Sequence, residues 1–244
     1  MTPVDVIVHR ASGEDVQVLV PVVADALMAG GLGVWLVPDA ADRGEVLCRY
    51  ARFVLERGLA NGRVDTTVDR CAVAVWYARL RPPPPSSVLW RYDLRRLLGP
   101  YAPRFALLHA YRDAAHPQAP HHYLAQVAAR PGQDAAAAVL LASHHRVLDG
   151  GGLAAYAEVC GDRPREGLLA RLGYVPRSPI LLEPGGPALW RLWRPAAGGG
   201  HLDGLPRRVR LGRAVIPAGE PGVAGVTAFS LITGRYRKPI TCGR

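Results

Sequence analysis

The sequence predicts an α/β fold in which one mixed sheet carries helices on both faces. Strand-like and helix-like segments alternate along residues 1–194, a pattern typical of this class. Hydrophobic residues make up 49% of the 244-residue chain, which is enough to fill one large core. No sustained periodicity follows Pro195. We therefore predict a domain at 1–194 and a basic, Gly/Pro/Arg-rich, disordered tail at 195–244.

The first half of the domain begins with a short β-rich segment at 4–8 and continues into two helices. Apolar residues recur at helical spacing from Val16 to Leu27, where Pro21 is expected to kink the helix. A second amphipathic helix is predicted to end at Asn61 and Gly62.

A hairpin and an insert follow the two helices. Residues 63–69 and 71–77 have the composition and alternation of paired strands. A run of prolines then opens an insert at 82–119, for which apolar spacing predicts two short helices. Its aromatic residues are expected to pack on the sheet, with a substrate pocket as the alternative.

The second half of the domain alternates strands and helices more regularly. The predicted segments are a strand at 121–129, a helix at 133–148, a strand at 153–159, a short helix at 165–172, and a hairpin of 179–182 with 188–193.

Charge and cysteine content narrow the choice of partners and compartment. The formal charge is +10, but eight basic and only two acidic side chains lie in 195–244, so the domain itself is only mildly basic. Nucleic acid is therefore an unlikely partner on sequence grounds, although attachment through the tail arginines remains an alternative. The four cysteines are far apart in sequence and favour a reduced, cytoplasmic protein. Residues 16–38 are long enough to span a membrane, but Pro21, Asp25 and a glycine cluster argue against it.

Four stretches in this order resemble the GNAT family of acetyl-CoA-dependent N-acetyltransferases. They are PHHYLAQVA from Pro120, GLAAYAE from Gly152, LLARLGY from Leu168 and ALWRLWR from Ala188. The resemblance covers residues 4–194 and implies that the mixed sheet is mostly antiparallel, as in the GNAT type. It also implies acetyl-CoA as co-substrate, a small-molecule or peptide amine as acceptor, and leaves a homodimer open.

The resemblance also implies positions for cofactor contacts. Main-chain groups of Val127 and Ala129 would pair with the pantetheine arm, and Arg165 aligns with an asparagine that contacts the cofactor. The loop and helix start that bind pyrophosphate align with Gln133, Asp134, Ala135, Ala136, Ala137 and Ala138. Alanines replace the family's glycines there, the loop is one or two residues short, and the Asp134 carboxylate competes with phosphate for the helix N-terminus. From the segment alone, an ordinary alanine-rich helix is an equal interpretation.

Catalytic groups follow from the same alignment. Glu158 stands at the strand end where family members often place a group that removes the amine proton. Leu169 stands where they often carry a tyrosine that protonates the departing thiolate, and leucine cannot donate a proton. The sequence therefore allows a second interpretation, a GNAT-like binding or regulatory protein without turnover. Adjacent histidines at 121–122 and 144–145 lack metal-ligand spacing, so no metal is expected.

Overall fold

Seven strands form one sheet in the computed structural model, which describes residues 6–81, 88–161 and 163–197. The strands are β1 (Val8–Arg10), β2 (Arg63–Thr67), β3 (Ala72–Arg79), β4 (His121–Ala129), β5 (Ala154–Cys160), β6 (Val175–Leu181) and β7 (Ala188–Arg194). Their order is β1-β2-β3-β4-β5-β7-β6. Only β4 and β5 pair in parallel, and the other neighbours are antiparallel. The predicted mixed, mostly antiparallel sheet is confirmed.

Helices cover both faces of this sheet, as predicted. They are α1 (Val16–Met28), α2 (Gly31–Leu36), α3 (Ala40–Asn61), α4 (Val88–Leu98), α5 (Ala102–Ala115), α6 (Asp134–Gly150) and α7 (Leu168–Arg171). Apolar side chains of α1 to α5 form one core on what we call the first face. Those of α6 and α7 form a second core on the second face.

Alternation along β5 assigns its side chains to these two cores. Ala155, Ala157 and Val159 belong to the second-face core, whereas Cys160 belongs to the first. Because successive strand residues point to opposite faces, Tyr156 and Glu158 share the first face with Cys160.

Polar residues fix the starts of the longer first-face helices. At the turn before α1, the Ser12 amide donates to Asp15 Oδ2 at 2.9 Å, and Arg70 binds the other oxygen of Asp15 at 2.5 Å. Asp39 precedes α3 and accepts from the Ala41 amide at 2.8 Å. Each carboxylate satisfies an amide of a helix start and favours its positive end.

Strand β6 begins at Val175 rather than at the predicted 179, and three further elements also differ from the prediction. Strand β1 comprises Val8–Arg10, where Val8 pairs with Thr67, so residues 6 and 7 of the segment predicted at 4–8 precede it, and residues 4 and 5 lie outside the described chain. Helix α7 is a single turn, not the helix predicted at 165–172. Helix α2 was not predicted, since its glycines suggested a break. Gly33 is instead a packing position, where a Cβ would collide with the Leu27 carbonyl oxygen.

The insert predicted at 82–119 contains two helices, α4 and α5, joined by one 3₁₀ turn. Phe105 is fully buried, so at least this aromatic residue packs in the first-face core. Residues 82–87 lie outside the described part of the chain, as does the predicted tail beyond Ala197. Among the described residues, no helix has both the length and the apolar character needed to cross a bilayer.

Candidate functional site

Strands β4 and β5 separate part of the way along the sheet. They pair only from His121 with Ala154 to Leu124 with Ala157. Beyond this point β4 continues along β3 and β5 continues along β7. The main chains of Ala125–Ala129 and Glu158–Cys160 therefore face a gap in which they are not paired with each other. We call this opening the strand gap.

A β-bulge lies where the strand gap begins. Leu124 pairs with Trp76 and Gln126 with Val75, so Ala125 is an extra residue on β4 without a partner on β3. Such a bulge redirects the adjoining main-chain groups, and it brings them to the point where β4 and β5 part. Val127 and Ala129, the residues expected to meet pantetheine, lie beyond the bulge on the same strand.

A tight turn joins β4 directly to α6. The Gln133 amide donates to the Arg130 carbonyl at 3.0 Å, with Pro131 and Gly132 between them. Gly132 has a φ of 79°, so the turn is of type II and requires a residue that tolerates positive φ. The turn has two residues between Arg130 and Gln133, and its glycine lies one residue before Gln133.

The first turn of α6 exposes some of the expected phosphate-binding residues and buries others. Gln133 and Ala135 are exposed, whereas the side chains of Ala136 and Ala137 are only 2% and 0% exposed and pack in the second-face core. The Ala136 amide already donates to the Gln133 carbonyl at 3.0 Å. Asp134 and Ala138 are half-buried. An anion here would therefore meet amides of the helix start rather than the methyl groups of Ala136 and Ala137.

Glu158 is the first β5 residue beyond the last pair with β4, and it is 2% exposed. Its Oε2 accepts from the Tyr123 hydroxyl at 3.0 Å, and its Oε1 accepts from the Tyr156 hydroxyl at 2.9 Å. Arg112 Nε lies 2.9 Å from the same Oε2 and completes a buried ion pair. We call these four residues the Glu158 cluster.

Burial fixes the protonation of the two tyrosines. Desolvation, followed by the charge of Glu158, raises the pKa of Tyr123 and Tyr156 far above the ordinary value. Both hydroxyls therefore keep their protons and act as donors to the carboxylate. Burial by itself lowers the pKa of Arg112, but the interactions with Tyr123 and Glu158 are together stronger than this effect. The pKa of Arg112 is therefore raised. The cluster consequently surrounds the carboxyl group of Glu158 with two hydroxyl donors and one guanidinium.

The sequence analysis did not identify Arg112, which the insert supplies to the site. It lies on the buried face of α5, in helical register with Phe105 and Leu108. The sequence contained one signal, because Arg112 follows Phe105 by seven residues and therefore lies on the apolar face of the predicted helix. A guanidinium buried on such a face needs an acidic partner. Tyr156 is buried and its hydroxyl is bound to Glu158.

Aromatic rings extend the Glu158 cluster along the first face. His116 lies edge-on to Tyr123 and Tyr156, with ring centroids 5.0 and 5.3 Å away. His121 Nδ1 lies 2.6 Å from the Ala119 carbonyl, and its Nε2 lies 3.1 Å from His116 Nε2. A carbonyl only accepts, so His121 carries its proton on Nδ1 and His116 donates from Nε2. Trp193 of β7 packs against the His121 ring.

The remaining predicted residues lie near α7 on the second face. Leu169 is 4% exposed and belongs to the core, and Arg165 is exposed. Tyr174 is buried and its hydroxyl lies 3.0 Å from His145 Nε2. Within the described chain, no group of three or more His, Cys, Asp or Glu side chains is placed to hold a metal ion.

Comparison with known proteins matches the fold to acetyltransferases. No protein-family model and no curated protein sequence matches the chain. A solved structure described as histone acetyltransferase HPA2 and related acetyltransferase, from Corynebacterium glutamicum, is 25% identical, with a TM-score of 0.56 over 80% of this chain and 98% of that one. Arylalkylamine N-acetyltransferase 2 from Aedes aegypti is 10% identical, with a TM-score of 0.53 over 79% and 100% of the two chains. The second likeness shows the fold alone.

Proposed function

Since the chain has the fold of the GNAT N-acetyltransferases, we propose that it transfers an acetyl group from acetyl-CoA to a primary amine. The observation that carries this proposal is the strand gap, with a helix start beyond one end and the buried, arginine-paired carboxyl group of Glu158 at the other. The histone acetyltransferase-like neighbour supports the same chemistry, because it matches almost over its whole length. The acceptor is a small molecule or a peptide.

Main-chain groups carry most of the proposed donor binding. The pantetheine arm would run along Val127 and Ala129, whose main chains face the strand gap and are free of β5. Its pyrophosphate would meet the turn at Gly132 and the first amides of α6, at Asp134 and Ala135, where the helix dipole favours an anion. Arg165, which is exposed, supplies a cation that can reach a phosphate oxygen.

The Glu158 cluster would prepare the amine. An acceptor arrives mostly as an ammonium ion and must lose a proton before its nitrogen can attack a carbonyl carbon. In our proposal that proton moves to the hydroxyl of Tyr123 or Tyr156, which passes its own proton to Glu158. Arg112 is paired with this carboxyl group at 2.9 Å and fixes its position for the transfer.

Two measurements on the full chain test the proposal. Titration calorimetry with acetyl-CoA tests binding, and thiol release over a panel of amines and peptides tests turnover. We expect Glu158→Gln to lower kcat about 100-fold with the acetyl-CoA Kd unchanged. Glu166→Gln is the matched control, because Glu166 is exposed and pairs only with Arg163 among the described contacts. Absence of acetyl-CoA binding at high micromolar concentration would overturn the proposal.

A second function rests on Leu169. A buried leucine replaces the expected proton donor, which favours a protein that binds acetyl-CoA and reports on it without turnover. Acetyl-CoA binding without thiol release, for any amine tested, would support this alternative. Turnover that falls in Glu158→Gln would exclude it.

A further inference from the structure

Three polar side chains form a connected array under α6, on the face of the sheet opposite Glu158. His122 Nδ1 of β4 lies 3.1 Å from His144 Nε2 of α6. His144 Nδ1 lies 3.7 Å from Asp65 Oδ2 of β2, within ion-pair range but beyond a hydrogen bond. Asp65 and His144 are only 2% and 4% exposed, whereas His122 is half-buried. We call these residues the Asp65 array.

The array has a preferred arrangement of protons. His144 is stacked on Trp76, with ring centroids 4.1 Å apart, which holds its Nδ1 toward Asp65. The carboxylate favours a proton on that nitrogen, so His144 Nε2 is left as an acceptor. His122 then donates from Nδ1, and its Nε2 is the unprotonated nitrogen. This nitrogen lies on the ring edge away from His144 and can accept a proton from a ligand.

The array lies beside the strand gap. His122 precedes Leu124, the last β4 residue paired with β5, by two residues, or about 7 Å along a strand. Its side chain shares the second face with Leu169, as its bond to α6 requires. We infer that His122 is a further catalytic residue, which takes the proton that the amine nitrogen loses on acylation and returns it to the departing sulfur. His144 and Asp65 are positioning residues for it. This inference rests on the proposed function.

The step balances without another reactant. A bond forms between the amine nitrogen and the carbonyl carbon while the carbon–sulfur bond breaks and its electron pair leaves with sulfur. The nitrogen proton moves to His122 Nε2, and the imidazolium then gives it to the thiolate, restoring neutral His122. The first proton of the ammonium goes separately to the Glu158 cluster. The shuttle supplies the thiol proton that Leu169 cannot.

The groups around the array keep both imidazoles neutral before reaction. Burial, with the charges of His121 and Arg63, lowers the pKa of His122. Burial, followed by His122, Arg63 and His145, lowers the pKa of His144 to about 3. Arg63 binds both oxygens of Asp65, at 2.9 and 2.8 Å, so Asp65 is only partly available to stabilise an imidazolium. His122 is thus an acceptor at neutral pH.

Steady-state kinetics of the full chain against pH test the inference. We expect His122→Gln to lower kcat for thiol release about 100-fold, to leave the acetyl-CoA Kd within twofold, and to remove the acidic limb of the kcat profile. His144→Phe keeps a ring on Trp76 but removes the bond to His122, and should lower kcat about tenfold. His145→Phe is the matched control, because His145 is equally buried on α6 yet bonds to Tyr174. Its kcat should stay within twofold.

Different results of these experiments would overturn the role of His122, the Asp65 array or both proposals. Wild-type turnover with an unchanged kcat or acidic limb in His122→Gln would overturn the role of His122 while leaving the proposed function intact. Equal losses in His144→Phe and His145→Phe would overturn the array, since only structural damage would then be seen. A wild-type chain that binds acetyl-CoA but releases no thiol would overturn both proposals. Nitrogen-15 NMR of the histidines should show His122 protonated on Nδ1, and the opposite tautomer would refute the proton arrangement.

Discussion

Single charged residues strongly affect ligand binding at the proposed cofactor site, and Asp134 affects how tightly the start of α6 binds an anion. Its carboxylate lies in the first turn of α6, at the end where the helix dipole already favours negative charge. A bound pyrophosphate would be repelled by it. We expect Asp134→Asn to tighten CoA binding about two- to fivefold, corresponding to about 0.4–1 kcal/mol.

Titration calorimetry of wild type and Asp134→Asn at low salt measures this effect. The gain should shrink as salt is added, because screening weakens the repulsion. Glu166→Asn, which changes the same charge on an exposed residue before α7, is the control. Equal or weaker binding by Asp134→Asn would show that the pyrophosphate does not lie at this helix start.

Arg112 has the largest expected effect on stability. It is 6% exposed and paired with a carboxylate that is 2% exposed. Its removal leaves a buried, uncompensated charge, so Arg112→Met should cost about 3–5 kcal/mol of the free energy of unfolding. The double variant Arg112→Met/Glu158→Gln should recover a large part of that loss, because no buried charge remains.

Urea denaturation gives both free energies. Arg163→Met is the control, since Arg163 forms an exposed pair with Glu166 and should cost less than about 1 kcal/mol. A double variant no more stable than Arg112→Met alone would mean that Arg112 stabilises the fold by packing, not through Glu158.

Among the helices and strands, the sequence pattern predicted those elements whose formation depends on the residues of one segment. Strand β4 was placed at its observed residues because its composition is strand-like between a proline and a turn. Helix α2 was not predicted because Gly33 was interpreted as a residue that interrupts helices. In the structure, Gly33 instead allows α2 to pack closely against α1. The Glu158 cluster was missed as a unit because α5, β4 and β5 each contribute to it. The spacing of residues within one segment does not show that side chains of three separate elements contact each other.

Helix α6 buries two histidines whose titration should be visible in stability. Burial, followed by neighbouring charges, lowers the pKa of His144 to about 3 and that of His145 to about 4. In the unfolded chain both return to about 6.5. Between pH 6.5 and 4 the unfolded state therefore binds more protons, so this contribution is complete above about pH 6.5 and is lost as pH falls.

We expect the free energy of unfolding to drop by about 1 kcal/mol for each of these histidines between pH 7.5 and 5.5. Urea denaturation at several pH values measures the slope, in a range above the titration of ordinary carboxyl groups. His145→Phe should flatten it. The facing charges of Arg194 and Asp149 stay constant over this range. The same slope in His145→Phe would show that His145 is already protonated in the folded chain.

For the whole molecule, the sheet joins two differently built faces at one gap. The first face brings a buried ion pair and its tyrosines to Glu158, and the second brings an aspartate–histidine array to His122. The solved acetyltransferases confirm the resemblance that four sequence motifs predicted. Those motifs lie in the fold that the chain shares with these solved structures. Residues outside them, such as Arg112, Asp65 and His144, complete both clusters, so a motif alignment could not reveal either.

Binding of a co-substrate across the gap should therefore stabilise the entire domain. A ligand that binds only the folded chain adds about 2.7 kcal/mol at a concentration 100-fold above its Kd. In a domain of this size that corresponds to a rise in Tm of about 5–10 °C. Differential scanning calorimetry with acetyl-CoA, and with CoA, should show a Tm that rises with the logarithm of ligand concentration. Adenosine, which lacks the pyrophosphate and the pantetheine arm, is the control and should shift Tm by less than about 1 °C. Equal shifts with adenosine would place binding away from the strand gap, because neither Val127 nor the start of α6 would then contribute.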